Sequence, residues 1–291
     1  MNSLSTGADL ESFVKKKLST SFLKLSSSQR NAVHMTLEKR ISFIQGPPGS
    51  GKTTTAIAIL FVNQLLMKTV LACGPSNEAV DIIATSCVEH GVPIVRAGRA
   101  VGARHLDTLK MYCPELLREE EMVRTQSNKR DSASWKRQRN EALREALDGH
   151  KQVVCTTFGF SNAVPVMSAQ QHQYILIDEA AQAPEPDTIN LISQLQSSGN
   201  VAARVTLIGD PCQLAAVCKT TADAEVWEIS LLERFYQVDG MDPVMLEIQY
   251  WMPEQIVAWS MGHLHHGKLR SASHLCNRQC TIGGMMMAMM M

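Results

Sequence analysis

The chain has 291 residues, 45% of them apolar and 19% charged, which allows a sizeable core and excludes a disordered composition. Basic and acidic residues balance at 28 each, so net charge by itself singles out no polyanionic partner. The charges are unevenly spread: Ile177 to Glu254 holds 13 acidic and 3 basic residues, leaving 15 acidic and 25 basic elsewhere, a division compatible with metal–nucleotide chemistry beside a nucleic-acid track.

Residues 1–24 form a lead-in without the apolar core of a secretory signal, so a cytoplasmic or nuclear location is expected. The most apolar run, Ala56 to Cys73, is interrupted by Asn63, Gln64 and Lys68. It reads as a buried helix followed by a strand, and no membrane partner is expected. With no secretory signal, the eight cysteines are expected to be reduced and mostly buried.

Strand-like runs follow at Ile41–Gln45, Thr69–Ala72, Pro93–Arg96, Gln152–Thr156, Tyr174–Ile177 and Val205–Ile208, separated by helix-length segments. Short, nearly continuous apolar runs alternating with helices predict a parallel sheet covered on both faces, an α/β doubly wound fold. Residues 111–150 break the alternation. They are strongly charged, with Leu116, Leu117, Trp135, Ala142, Leu143, Ala146 and Leu147 at helical spacing, and Asp131, Ser132 or Ser134 able to cap the second helix. An inserted helical hairpin is expected, dividing a main lobe of residues 25–110 and 151–269. The Met-rich stretch 270–291 has no patterned face to bury and is expected to be disordered.

Between the strand Ile41–Gln45 and a helix over Thr54–Met67 lies Gly46-Pro47-Pro48-Gly49-Ser50-Gly51-Lys52-Thr53-Thr54, a phosphate-binding loop. Its glycines let backbone N–H groups wrap phosphate oxygens, and the following helix N-terminus adds a favourable dipole. Lys52 supplies a point charge to the β- and γ-phosphates of ATP, and Thr53 offers its hydroxyl to Mg²⁺. Tyr174–Ile177 runs into Asp178 and Glu179. Acids at the carboxyl end of a parallel strand face the ligand crevice, so Asp178 suits the Mg²⁺ shell and Glu179 the attacking water. Leu207-Ile-Gly-Asp210-Pro-Cys-Gln213 is a third strand ending, from which Gln213 can reach the γ-phosphate or that water.

Together these residues resemble the first RecA-like domain of superfamily 1 RNA/DNA helicases, in the group of the nonsense-mediated-decay helicase and senataxin. The resemblance covers about residues 25–268 in register: Leu25-Ser-Ser-Ser-Gln29, the phosphate loop, Gly74-Pro-Ser-Asn-Glu-Ala-Val-Asp81, Val95-Arg96-x-Gly98, Val154-Cys-Thr-Thr157, Asp178-Glu-Ala-Ala-Gln182 and Gly209-Asp-Pro-Cys-Gln-Leu214. It implies a P-loop NTPase fold, ATP and Mg²⁺ as cofactors, and single-stranded nucleic acid as partner, RNA before DNA. It further implies that Gln29 reads adenine, and that Pro75, Ser76, Asn77, Thr156 and Thr157 contact the strand backbone. Ser76 and Asn77 are also good helix N-cap residues.

Two departures accompany the resemblance. In Gln249-Tyr250-Trp251-Met252-Pro253 a tryptophan stands where the family places an arginine near the γ-phosphate. About 20 residues follow Leu269, too few for a second α/β lobe. The expectation is therefore an ATP-hydrolysing lobe with its second lobe or a protein partner supplied in trans; the alternative is a non-catalytic, ATP-dependent nucleic-acid binder or a fragment of a full helicase. His263, His265, His266, His274, Cys276 and Cys280 crowd together at a spacing that fits no standard zinc finger, so no metal ligands are assigned there.

Overall fold

A computed structural model describes residue 16 and residues 24–66, 69–98, 101–102, 104–124, 132–148, 153–161, 172–197, 204–216, 228–237, 243–265 and 267–275. Most of the lead-in 1–24, and the Met-rich tail beyond residue 275, lie outside these.

Helix α1 (Ser27–Glu38) starts on Ser26, whose side chain accepts from the Gln29 amide while Gln29 Oε1 accepts from the Ser26 amide at 2.8 Å. This reciprocal capping box satisfies two otherwise orphaned donors. Strand β1 (Ile41–Gln45) leads through the phosphate loop into α2 (Lys52–Leu65). Eight α2 residues, Thr55 to Asn63, are buried, because KTTTAIAILFVNQL is apolar nearly all round. Then come β2 (Val70–Gly74), α3 (Asn77–Glu89) and β3 (Ile94–Arg96).

Helices α4 (Pro114–Arg124) and α5 (Ser132–Leu147) pack against each other between β3 and β4 (Val153–Thr157). Leu143 and Leu147 of α5 are buried with Val95 and Val154 of the neighbouring strands, so the insertion is seated on the sheet by an apolar stripe. Arg139 on α5 meets Glu119 on α4 at 3.1 Å and ties the two helices together. Strand β5 (Tyr174–Ile177), α6 (Glu185–Ser197), β6 (Arg204–Gly209) and α7 (Leu231–Gln237) complete the alternation. The final elements are β7 (Val244–Met245), β8 (Ile248–Gln249), α8 (Glu254–His263) and β9 (Arg270–Ser271).

Seven strands form one parallel sheet in the order β3-β4-β2-β5-β6-β1-β7. Two apolar clusters cover its faces, one centred on α1, α2 and α3, the other on α5, α6 and α7. The predicted doubly wound sheet is therefore present, with strand ends shifted by one or two residues. Because every strand runs the same way, the segments after β1, β2, β4, β5 and β6 emerge on one edge. Register sets their neighbours: Gln45 beside Gly209, and Gly74 beside Thr157.

The expected disorder from residue 270 onward needs correcting at its start. Arg270 and Ser271 pair in parallel with Ile248 and Gln249, and Leu269 and Leu275 are buried, so this stretch has apolar anchors that the Met-rich run obscures. No helix among the described residues is long and apolar enough to cross a membrane.

Candidate functional site

The phosphate loop curls through two left-handed glycines, Gly49 (φ 72°) and Gly51 (φ 79°). A Cβ on Gly46 would sit 2.1 Å from Lys52 Cγ, so only glycine lets the lysine fold back over the loop. Lys52 Nζ does so, donating to the Gly46 carbonyl at 3.0 Å. Ser50 Oγ donates to the Pro47 carbonyl at 2.7 Å and closes the turn.

Pro47 through Thr54 line an open cleft of about 640 Å³ together with Ser76, Asp178, Glu179, Gln182, Gln213 and Trp251. Eleven of the thirteen residues predicted to act on ATP or its Mg²⁺ thus line one cleft, converging from the segments after β1, β5 and β6. Gly46 lies behind the loop rather than on the cleft wall, and so does Gln29. Gln29 is buried, and its Nε2 donates to the Ser50 carbonyl at 3.2 Å. In this conformation it braces the loop from behind.

Asp178 is buried at the end of β5, and its Oδ1 has no hydrogen-bond partner among the described residues. Burial, with the Glu179 carboxylate second, raises its carboxyl to about 7, while the Glu179 amide and Lys52 pull it down. An orphaned carboxylate oxygen on the same cleft wall as the Thr53 hydroxyl suits a hard divalent cation such as Mg²⁺, which takes oxygen ligands. Glu179 is the one non-glycine residue with positive φ (50°) among the described residues. Such a backbone costs on the order of 1 kcal/mol and persists where surroundings impose it. Gln182 Nε2 donates to Glu179 Oε2 at 3.1 Å and fixes the carboxylate.

At the end of β6, Asp210 is buried and accepts three hydrogen bonds: from Gln45 Nε2 at 3.2 Å, the Cys212 amide at 3.2 Å and Gln213 Nε2 at 2.8 Å. Gln213 Nε2 also approaches the Gly46 carbonyl at 3.4 Å. Gly209 lets the strand close up, since a Cβ there would lie 2.9 Å from the Ala181 amide nitrogen.

Trp251 is 74% exposed at the mouth of the cleft, its Cβ 3.2 Å from where a Cβ on Gly49 would stand. The fully buried Gln249 sets it there: Gln249 Oε1 accepts from the Trp251 and Met252 amides at 3.0 and 2.9 Å, and Nε2 donates to Met252 O at 2.6 Å.

The predicted strand-contacting residues divide. Ser76 is the N-cap of α3, accepting from the Ala79 amide at 3.2 Å, and it also lines the cleft. Asn77 Oδ1 accepts from Arg96 Nη2 at 3.0 Å. Thr156 is fully buried and Thr157 is half-buried, as the two-residue period of β4 requires of neighbours. Only Thr157 of that pair reaches the surface in this conformation.

The sequence places Asp81 and Arg96 in two separate motifs but does not show that they pair. Both are fully buried and paired at 2.7 Å, and Asp81 Oδ2 accepts from the Gly102 amide at 2.7 Å. The signal was an arginine ending a buried strand, which must find a carboxylate. The pair pins Asn77, and so the Pro75–Asn77 loop, to the end of β3.

A family model described as an AAA domain matches residues 24–130 and 106–221. The chain is 32% identical over 277 residues to "Regulator of nonsense transcripts 1 homolog" of Arabidopsis thaliana, covering 89% of this chain and 21% of that protein. It is 30% identical over 266 residues to "ATP-dependent helicase NAM7" of Saccharomyces cerevisiae (86% and 26%), and 31% identical over 289 residues to "ATP-dependent helicase upf1" of Schizosaccharomyces pombe (89% and 30%). The chain thus spans between a fifth and a third of the length of these relatives. The family model spans more than half of the chain, so the chain belongs to the AAA domain family, as a RecA-like lobe of the superfamily 1 helicase kind.

Proposed function

We propose that this lobe binds and hydrolyses ATP with Mg²⁺ while holding single-stranded nucleic acid, RNA in preference to DNA. The observation that carries the reading is Glu179: a carboxylate on a left-handed backbone, fixed by Gln182, on the same cleft wall as Lys52 and Asp178. A nucleotide store has no need of a second acid held this way. Mg²⁺ would be held by Thr53 and Asp178 and would neutralise charge on the β- and γ-phosphates. Lys52 leaves the Gly46 carbonyl for the phosphates. Glu179 orients the attacking water and accepts its proton, and Gln213 fixes that water or the γ-phosphate from the β6 side.

RNA is favoured because the relatives' printed names refer to transcripts. Ser76, Asn77 and Thr157, with Pro75 shaping the loop, are the proposed strand contacts on the β2–β4 edge. A facing lobe or protein partner is supported by large apolar side chains left exposed: Trp251 at the cleft mouth, and Leu214, Ile256 and Trp259 on the segments after β6 and β8.

The test is phosphate release by the purified chain with Mg²⁺-ATP, alone and with single-stranded RNA or DNA. Turnover stimulated by the strand supports the proposal. Tight ATP binding with release at background, strand or no strand, would instead make the chain a nucleotide-gated binder, a reading that Trp251 in place of an arginine favours.

A further inference from the structure

Beside the nucleotide site, a second group of ligating side chains comes together, none of which is assigned to contact nucleotide or Mg²⁺. Asp210, Cys212 and His265 each present one ligand atom, and the three atoms lie within 4.8 Å of one another. Asp210 and His265 are almost fully buried, Cys212 is half-buried, and Asp210 Oδ2 to His265 Nε2 is 3.9 Å. We propose that Asp210, Cys212 and His265 form a binding site for a borderline-soft divalent transition metal, of which Zn²⁺ is the type.

Donor chemistry selects the ion class. A thiolate and an imidazole beside one carboxylate suit Zn²⁺ or its neighbours and not Mg²⁺ or Ca²⁺, which take oxygens. Three protein ligands with a fourth position open is the arrangement of a non-structural zinc site. Bonds of about 2.0–2.3 Å place tetrahedral ligands roughly 3.3–3.8 Å apart, so the three atoms need to close by at most about 1.5 Å.

The ligands come from two distant segments that are already locked together. The Cys212 amide donates to Asp210 Oδ1 at 3.2 Å, and Cys212 Sγ contacts the Leu264 carbonyl at 3.6 Å, which brings the end of α8 onto the β6 turn. His265 enters with that helix end, where its amide bonds to Ser260 O at 3.2 Å. The ion would lie on the carboxylate that also holds Gln213, one hydrogen bond from the nucleotide cleft.

Cobalt(II) replaces zinc in such sites and reports thiolate coordination by a ligand-to-metal charge-transfer band. The chain, stripped of metal by chelation and kept reduced, is titrated with Co²⁺ and then with Zn²⁺. The expected result is one Co²⁺ per chain with a thiolate band that Zn²⁺ bleaches. Cys212→Ser keeps the backbone turn and should abolish the band. His265→Phe keeps the ring volume and should weaken Co²⁺ affinity at least tenfold, with circular dichroism verifying that both variants fold. Cys218, Cys276 and Cys280 lie outside the described residues and are the competing thiols, so a triple serine variant at these positions should retain the band. A band that survives Cys212→Ser, disappears in the triple variant, or never forms in the parent chain overturns the proposal.

Discussion

Gln213 Nε2 stands 2.8 Å from Asp210 Oδ2 and 3.4 Å from the Gly46 carbonyl, so one amide links the end of β6 to the first residue of the phosphate loop. Lys52 uses the same carbonyl, at 3.0 Å. Lys52 and Gln213, two of the side chains in the proposed chemistry, therefore share the Gly46 carbonyl in this conformation.

Asp178 gives a pH dependence with a definite sign. Burial first, and Glu179 second, lift its carboxyl to about 7, whereas an unfolded aspartate titrates near 3.8. The folded chain keeps that proton through a window in which the unfolded chain has lost it. Without divalent cation, stability should therefore fall as pH rises from about 4 to about 7, and Asp178→Asn should flatten that part of the curve. At pH 8 the variant is expected to be at least ~1 kcal/mol more stable than the parent, given about 1.4 kcal/mol per pKa unit. Denaturant melts in chelator across this pH range provide the check.

Trp251 stands exposed at the cleft mouth and is expected to limit turnover without blocking the site. Its loop is shaped through backbone amides by Gln249, so another side chain can occupy the same position. Trp251→Arg should place a forked cation at the cleft mouth and raise the ATPase rate about 10-fold or more, since an arginine acting on phosphoryl oxygens is commonly worth far more than that. Steady-state phosphate release measures it, with the ATP dissociation constant determined in parallel.

Asp81→Ala leaves Arg96 buried without its carboxylate. A broken buried ion pair costs about 3–5 kcal/mol. Asn77 loses its anchor at the same time, so single-strand affinity should drop along with the melting temperature. Thermal denaturation and filter binding on one preparation separate the two effects. A variant as stable as the parent would contradict the burial of the pair.

Gln29 joins the α1 capping box to the phosphate loop. Gln29→Ala leaves the Ser26 cap in place but removes the reciprocal half of the capping box and the brace on Ser50 O. The expected result is weaker binding of ATP and GTP by a similar factor. A loss confined to ATP would mean that the amide turns outward to read the base.

How much of this was readable in advance depended on range along the chain. Glycine spacing, the Ile41–Gln45 strand and the Asp178–Glu179 ending are local, and each landed where the pattern put it, because parallel strands impose the same edge on every carboxyl-end residue. Thr156 illustrates the limit. Its type matched a strand-contacting position, yet the pleat turned it inward, and only Thr157 reaches solvent. The Asp81–Arg96 pair is 15 residues apart and the Asp210–His265 contact more than 50, and neither carries a local periodicity. His265 was visible as one of a crowd of histidines and cysteines. Which of them faces Asp210 is decided by the path of α8 over the β6 turn, which tertiary packing sets.

The most direct measurement is Mg²⁺-dependent phosphate release by Glu179→Gln beside the parent chain, with ATP affinity determined in parallel by equilibrium binding. A proton-accepting carboxylate typically contributes about 10²–10⁴ in rate. Turnover should fall by at least about 10² while ATP affinity stays within a few-fold of the parent. Undiminished turnover in Glu179→Gln would contradict it.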